Sequence, residues 1–321
     1  MIDISIVIPT YNRLWSLPNA VESCLSTTAK VEVIVVDNGS TDGTWEWLQT
    51  QAGVRAIRMD NWGKDWAIVE ALKVAQGKYV RFLDSDDWLS EGANDEQLRL
   101  AHDNEADVVV AGYQDCDDDI GSLHVNPWAA CDDFIAQQLG EGWSSHYSAF
   151  LFRRDFILGI PHRQDFAFID DRMFMIEVAL RKPRLAVYDK PAFVHRRHSR
   201  GRLQVSGGIV KTVGTWQHIM VYRKALAMLA QAGELSPRRK RAGLGFLWSA
   251  TRELAKTHPA DAGVVYDWIY ELDPGFSPPI RRSLALAYRV LGFRTTECLV
   301  ALRASARHFV ARLGGRPRDP A

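Results

Sequence analysis

Over its first hundred residues the chain repeats one pattern closely enough to rule out most architectures: a short β-branched run, a polar cluster, then a stretch with helical spacing. The apolar runs cover residues 4–8, 31–36, 54–57 and 79–83, and strands that alternate with helical patterns imply βαβ units and a parallel sheet. Polar residues follow directly: Thr10-Tyr11-Asn12 after the first run, Asp37-Asn38-Gly39-Ser40 after the second, Asp84-Ser85-Asp86-Asp87 after the fourth. Ligands bind outside the carboxyl ends of the strands in such sheets, so these three loops are expected to meet on one rim. Another strand is expected at 108–111; the pattern then loosens from 115 to 143 and recovers at 149–152. From about residue 212 the sequence becomes rich in Ala, Leu and Arg with helical periodicity and no strand signal, broken at Pro237, Pro259 and 274–279. No internal repeat is visible. The expectation is an α/β fold with a mostly parallel sheet, helices on both faces, and a helical C-terminal appendage.

A chain of 321 residues, 47% of them hydrophobic, can bury a sizeable core, and at roughly 150 residues per domain it suggests two domains. The 39 basic and 39 acidic residues cancel overall, yet residues 211–321 hold 18 Lys and Arg against 8 Asp and Glu, and residues 1–210 carry the opposite excess. An acidic region that must meet an anionic ligand would repel it without an intervening divalent cation, whereas a basic region suits lipid headgroups or anionic polymers. Cys24, Cys116, Cys131 and Cys298 form no CxxC pair, which argues against a zinc site or a disulfide framework and for a reducing compartment. Residues 1–10 read as a strand and not as a signal peptide. No apolar run approaches the roughly 18 residues that span a bilayer. No nucleic-acid-binding module is recognisable in the basic region, so nucleic acid is not expected as a partner.

Asp84, Asp86 and Asp87 follow an apolar run and a Gly77-Lys78 turn, which pins their carboxylates at a sheet edge and makes them a candidate hard-cation site. A solvated acidic loop or a helix N-cap would look the same in isolation. A calcium loop is disfavoured, because no Gly stands at its sixth position. The segment 37–44 could equally be a turn with a helix cap.

In combination these segments say more. Ile8-Pro9-Thr10-Tyr11-Asn12-Arg13, residues 35–44 (Val-Val-Asp-Asn-Gly-Ser-Thr-Asp-Gly-Thr) and residues 77–87 (Gly-Lys-Tyr-Val-Arg-Phe-Leu-Asp-Ser-Asp-Asp) closely resemble, in order and spacing, the family 2 inverting glycosyltransferases of GT-A fold. The resemblance covers residues 3 to about 206. It implies a nucleotide-sugar-binding part at 1–100 and an acceptor-binding and catalytic part at 101–210, and the basic helical region read from periodicity and charge follows at 211–321. It further implies transfer of a sugar from a nucleotide diphosphate donor, commonly a UDP-sugar, to an acceptor hydroxyl, with Mn²⁺ or Mg²⁺ as cofactor. The acceptor would be a glycan, a lipid-linked sugar or another glycoconjugate of surface polysaccharide synthesis.

Residue by residue, the resemblance gives Asp37 the nucleobase edge, with Pro9, Thr10, Tyr11 and Arg13 around the nucleotide and Asn38 standing where the family has a second acid. It places Asp84 and Ser85 near the ribose or the metal, Asp86 on the metal, and Asp87 behind it. The segment 165–174 looks like the family's Glu-Asp motif, with Asp170 in the Glu position and Asp171 in that of the base that takes the acceptor's proton. An acid at a helix start is favourable on electrostatic grounds alone. His195-Arg196-Arg197-His198 resembles a segment in which His198 completes the metal shell and Arg197 meets the pyrophosphate.

One segment departs from the family. Asn61, Gly63 and Ala67 are kept, but the Arg and second Asn that follow in the family are Ile68 and Val69. A usual polar contact to the donor is therefore missing, with Lys64 or Asp65 as substitutes. A catalytically impaired nucleotide-sugar binder of the same fold is the alternative this departure leaves open. A nucleotidyltransferase would want a Gly-rich, basic phosphate loop near the first strand, which is absent. Finally, residues 280–313 are expected to form one basic amphipathic helix with Leu284, Ala287, Leu291, Leu299, Leu302, Phe309 and Leu313 on its apolar stripe and Glu297 as the lone acid among seven arginines. Such a helix would rest on an anionic membrane from the cytoplasmic side, or pack on the enzyme itself.

Overall fold

In a computed structural model the described residues are 1–118, 121–162, 165, 169–200 and 208–314. They fall into two compact units, Met1–Leu203 and Gln204–Ala321. The first begins with β1 (Ile4–Thr10), α1 (Leu17–Leu25), β2 (Val31–Asp37), α2 (Thr44–Leu48), β3 (Val54–Arg58), α3 (Lys64–Val74) and β4 (Tyr79–Phe82). It continues through β5 (Trp88–Leu89), α4 (Ala93–Asp103), β6 (Val108–Asp117), β7 (Ser122–Asn126), α5 (Phe134–Gln138), β8 (Leu151–Arg153), α6 (Arg154–Ile157), α7 (Asp170–Leu180) and β9 (Leu185–Arg197).

Among the described residues one sheet runs β3-β2-β1-β4-β8-β6-β9-β5, with β7 paired to β6. The first four strands are parallel, as expected, and so is the β6–β9 pair. The remaining pairings are antiparallel. β8, which a short 3₁₀ turn at Tyr147–Ala149 leads into, runs antiparallel to both β4 and β6. β5 and β7 are too short or too exposed to show an apolar run, which hid them from the sequence pattern. The strand order reverses between β1 and β4, so the loops after these strands part and leave a crevice at their carboxyl ends.

Every residue of β1 is buried, as are Val33–Asp37 of β2, because helices cover both faces. Register carries the strand ends into line: Thr10 lies opposite Asp37, and Asp37 opposite Arg58. Gly77 makes the tight approach before β4 possible. Its amide donates to Ser5 Oγ at 2.8 Å, and a Cβ there would stand 2.4 Å from the Ser5 nitrogen.

The second unit is helical: α8 (Gly208–Gln231), α9 (Pro237–Ala255), α10 (Pro259–Leu272), α11 (Arg282–Leu291) and α12 (Phe293–Gly314). Pro237 and Pro259 open helices and do not break them, since the first helical turn needs no amide donor there. The single helix expected over 280–313 is instead two, divided at Gly292, whose φ of +76° is a conformation that favours glycine. Tyr288 and Phe293 pack around Trp248, with ring centroids 5.2 and 6.3 Å away. Glu297 is also drawn inward, taking Arg252 Nε at 2.8 Å and the Tyr288 hydroxyl. The side chains of Arg307, Phe309, Arg312 and Leu313 lie outside the described residues. No described helix is long and apolar enough to cross a membrane.

Gly77→Ala is expected to destabilise the protein by about 1–3 kcal/mol, the usual cost of overpacking. Gly245→Ala, on α9 where an added Cβ meets nothing within 4 Å, serves as control. A urea midpoint for Gly77→Ala equal to wild type refutes the expectation.

Candidate active site

Asp37 ends β2 fully buried. Its Oδ1 accepts from the Ser40 amide at 3.1 Å, whereas Oδ2 is 3.7 Å from Arg58 Nε and has no hydrogen-bond partner among the described residues. Thr10 Oγ1, one strand over, is likewise buried and unpaired. Buried polar atoms are normally satisfied, so two such atoms at adjacent strand ends mark a place where a ligand's polar edge can complete them. Tyr11 is half exposed at the rim, and Pro9 lies in the strand against Val36.

Two amide side chains tie the surrounding loops. Asn12, at φ +51°, donates its backbone amide to Ser40 Oγ and accepts from the Thr41 amide, both at 2.8 Å. Asn38 donates to Asn61 Oδ1 at 2.9 Å and accepts from the Trp62 amide at 3.1 Å. Asn38 thus ties the loop after β2 to the loop before α3 through one donated and one accepted bond.

Gly63, at φ +114°, turns the chain into α3 and sets Lys64 on its first turn, where the ammonium pairs with Asp84. Burial opposes the charge of Lys64, but Asp84, Tyr147 and Asp171 outweigh it and hold its pKa well above the ordinary value. Asp84 is affected in the mirror sense: burial raises its pKa, while Lys64 and His146 together pull it below the usual carboxylate range. Asp86 accepts from His198 Nε2 at 3.0 Å and stands 3.5 Å from Arg13 Nε. Asp87 is buried and takes the Arg196 amide at 2.9 Å, and burial with the neighbouring charges of Asp84 and Asp86 drives its pKa well up. Ser85 is buried, its carbonyl accepting from Ser16 Oγ at 2.8 Å.

Oxygens of Asp84, Asp86 and Asp87 all lie within 4.8 Å of one another. This set suits a hard divalent cation: the donors are carboxylates, and the crowding that raises Asp87 is what a cation would relieve. His198 reaches the cluster through Nε2, which bonds Asp86, while its buried Nδ1, on a ring packed edge-on to Trp15, has no hydrogen-bond partner among the described residues.

A second group forms where α7 begins. Asp170 is buried and bonded at 2.6 Å to His162 Nδ1, a ring stacked on Phe174. Asp171 takes the neighbouring Arg172 amide at 2.8 Å and lines a cavity of about 110 Å³. Residues 166–168 of the same motif lie outside the described residues. His146 and Tyr147 line the cavity too, and the charges of both Asp84 and Asp171 act on each of them. The acidic loop and the cavity are thus electrostatically connected.

Arg197, expected at the pyrophosphate, is engaged within the protein. Its guanidinium grips Asp115 through Nε at 3.1 Å and a terminal nitrogen at 2.9 Å, and His195 Nδ1 joins the same carboxylate at 2.9 Å. Two residues outside the sequence expectations stand here, Arg58 beside Asp37 and His146 in the cavity wall. Arg58 was discoverable from strand register, because it falls beside Asp37 once β2 and β3 are aligned. His146 has no motif around it. Asp65 follows Lys64 on α3, only 4% exposed. Burial first, then the charges of Asp170 and Asp171 set against Lys64, push its carboxyl from 3.8 to about 8.

Residues 5–160 match the family model described as Glycosyl transferase family 2. The chain is 31% identical over 142 residues to Glycosyltransferase GlyG of Streptococcus pneumoniae serotype 4 (strain ATCC BAA-334 / TIGR4), covering 42% of this chain and 46% of that protein. It is 42% identical over 89 residues to UDP-Glc:alpha-D-GlcNAc-diphosphoundecaprenol beta-1,3-glucosyltransferase WfaP of Escherichia coli, covering 26% of this chain and 36% of that protein. The chain therefore spans less than half the length of either relative. Among solved structures it resembles S. aureus TarS 1-349 in complex with UDP-GlcNAc, with a TM-score of 0.58 at 16% identity over 92% of this chain and 90% of that one, a likeness of fold.

Asp65 generates a stability prediction. Its pKa is raised on folding, so the native state holds a proton that the unfolded chain gives up, and stability falls as pH climbs from about 4 to about 8 before levelling. Asp65→Asn removes that slope. Its advantage over wild type in urea unfolding should grow across this window to an order of a few kcal/mol. A constant difference from pH 4 to 8 refutes the assignment.

Proposed function

We propose, from the premise that this chain is a family 2 glycosyltransferase of GT-A fold, that it transfers a sugar from a UDP-linked donor to an acceptor hydroxyl with inversion at the anomeric carbon. The observation that carries the reading is the pairing of two carboxylate groups with different surroundings. Asp84, Asp86 and Asp87 are clustered and compensated by Lys64 and Arg13, while Asp171 borders an open cavity. WfaP is named for a UDP-Glc donor and TarS was crystallised with UDP-GlcNAc, which supports a UDP-sugar here.

In this reading Asp37 and Thr10 meet the edge of the base with their unpaired oxygens, and Pro9 and Tyr11 border it. Asp86 holds Mn²⁺ or Mg²⁺, with Asp84 and His198 beside it. When bound, that cation supplies Lewis acidity that offsets the charge growing on the departing nucleotide diphosphate. Lys64 and Arg13 stand at the acidic loop with positive charge for the same phosphates, the role that the resemblance implies for Arg197. Asp171 removes the acceptor proton during attack from the opposite face of the sugar. Asp170, tied to His162, keeps the start of α7 in place for it. The departure at 61–69 leaves Lys64 at the phosphate end of the site, and Asp171 on a cavity favours turnover over mere donor binding.

The acceptor is proposed to be lipid-linked, following WfaP's named substrate, with the second unit resting on the membrane that holds it. On α11 and α12, Leu286, Val290, Leu291, Leu299 and Leu302 are exposed beside exposed Arg289 and Arg303, a combination that gains from both apolar insertion and anionic headgroups.

Asp171→Asn should lose transfer by about 10²–10⁴ while keeping donor affinity, and Asp86→Ala or excess EDTA should abolish turnover of the nucleotide sugar. Full activity in EDTA sinks the metal assignment, and an active Asp171→Asn beside an inert Asp170→Asn exchanges the two carboxylates. For the membrane, full-length protein should float with vesicles of phosphatidylglycerol but not of phosphatidylcholine, and a Leu286→Ser, Leu299→Ser, Leu302→Ser variant should not. No flotation of the wild type refutes it.

A further inference from the structure

The cavity beside Asp171 is built for more than a hydroxyl. Gln138 is 1% exposed and Ser145 7%, and both line it. Ser144 Oγ donates to Gln138 Oε1 at 3.0 Å, which fixes the amide so that Nε2 is the end left over. That Nε2 and Ser145 Oγ are buried and have no hydrogen-bond partner among the described residues. A buried N–H donor and a hydroxyl left unpaired in one pocket call for an occupant that satisfies both. Met175 and Tyr113 supply apolar wall. Tyr113 is stacked by Trp143 at 6.4 Å, and Trp143 is 49% exposed, an aromatic face of the kind on which the C–H side of a pyranose rests. The volume of about 110 Å³ exceeds the roughly 30 Å³ share of one water several times.

Building on the proposed transfer reaction, we propose that this pocket receives the N-acetyl group of an acetamido sugar serving as acceptor. The acetamido carbonyl accepts from Gln138 Nε2, its N–H donates to Ser145 Oγ, and its methyl lies against Met175 and Tyr113. A sugar with a hydroxyl in place of the acetamido group has one polar atom where the amide offers two set apart, and it leaves the apolar wall of Met175 and Tyr113 uncovered. Placing the group here sets the acceptor ring between Trp143 and Asp171, so one recognition element both selects the sugar and brings it to the base.

The test uses p-nitrophenyl N-acetylglucosaminide and glucoside, and the matching galactosamine and galactose pair, with nucleotide-loaded full-length enzyme. Binding is read by calorimetry, transfer by product formation, and donor hydrolysis without acceptor as the control. In at least one pair the acetamido glycoside should bind about tenfold or more tightly than its hydroxyl counterpart, the difference one to two hydrogen bonds make. Ser145→Ala and Gln138→Leu should each erase most of that preference while leaving donor hydrolysis unchanged. Equal binding within both pairs, or a preference that survives in both variants, overturns the proposal. Selective binding without any donor turnover would uphold the pocket and instead sink the transferase reading.

Discussion

The structure of the first unit is governed by the cost of crowding carboxylates. Asp37, Asp65, Asp84, Asp86, Asp87, Asp170 and Asp171 all stand at strand ends or helix starts around one crevice, most of them buried or partly so. Mutual repulsion in a poorly solvated setting is relieved in three ways. Cations are placed against some of them, as Lys64 is against Asp84, Arg13 against Asp86 and Arg58 against Asp37. Polar neighbours are bonded to others, as the Arg196 amide is to Asp87 and His162 to Asp170. What is left over shows as carboxyls whose pKa is pushed upward by burial and by neighbouring acids, as at Asp65 and Asp87. A site with this much residual negative charge is one that welcomes a cation before it welcomes a phosphate.

Much of this was legible from the chain itself, and the reason is local. Strand ends of a parallel sheet are set by where apolar runs stop, so Thr10, Asp37 and Asp84 could be placed on one rim from spacing alone. What was hidden depends on contacts far apart in sequence. Arg197 looked available to a pyrophosphate until β6 brought Asp115 against it from 82 residues away. Asp65 looked like a donor contact beside Lys64; its burial and the charges of Asp170 and Asp171 that act on it, more than a hundred residues downstream, could not be read from its neighbours in sequence. Glu297 looked like a surface counterion, and only the packing of α9 on α12 shows that it serves Arg252. The helix break at Gly292 could have been read from the glycine, but the arginine-rich periodicity on either side concealed it.

The orphaned polar atoms group in the same way as the charges. Thr10 Oγ1 and Asp37 Oδ2 are left open at the ends of β1 and β2, and Gln138 Nε2 and Ser145 Oγ in the cavity beside Asp171. In each place an adjacent residue bonds the other half of the group, Ser40 for Asp37 and Ser144 for Gln138. The unsatisfied atom is thereby held in a defined orientation, ready for a partner at little further loss of freedom.

The first turn of α3 has a bearing on how such a protein can change over generations. Adjacent residues there face separate tasks, Lys64 toward the acidic loop after β4 and Asp65 toward the acids that open α7. A rotation or shift of this turn that suited a new leaving group would carry Asp65 with it and disturb the opposite side of the reaction. Under the proposed reaction, variation at 64 and 65 is epistatic by construction: diversification of the two substrates cannot proceed independently through this segment, and new specificities are more readily reached through 138–145, which in that reading answers to one substrate alone.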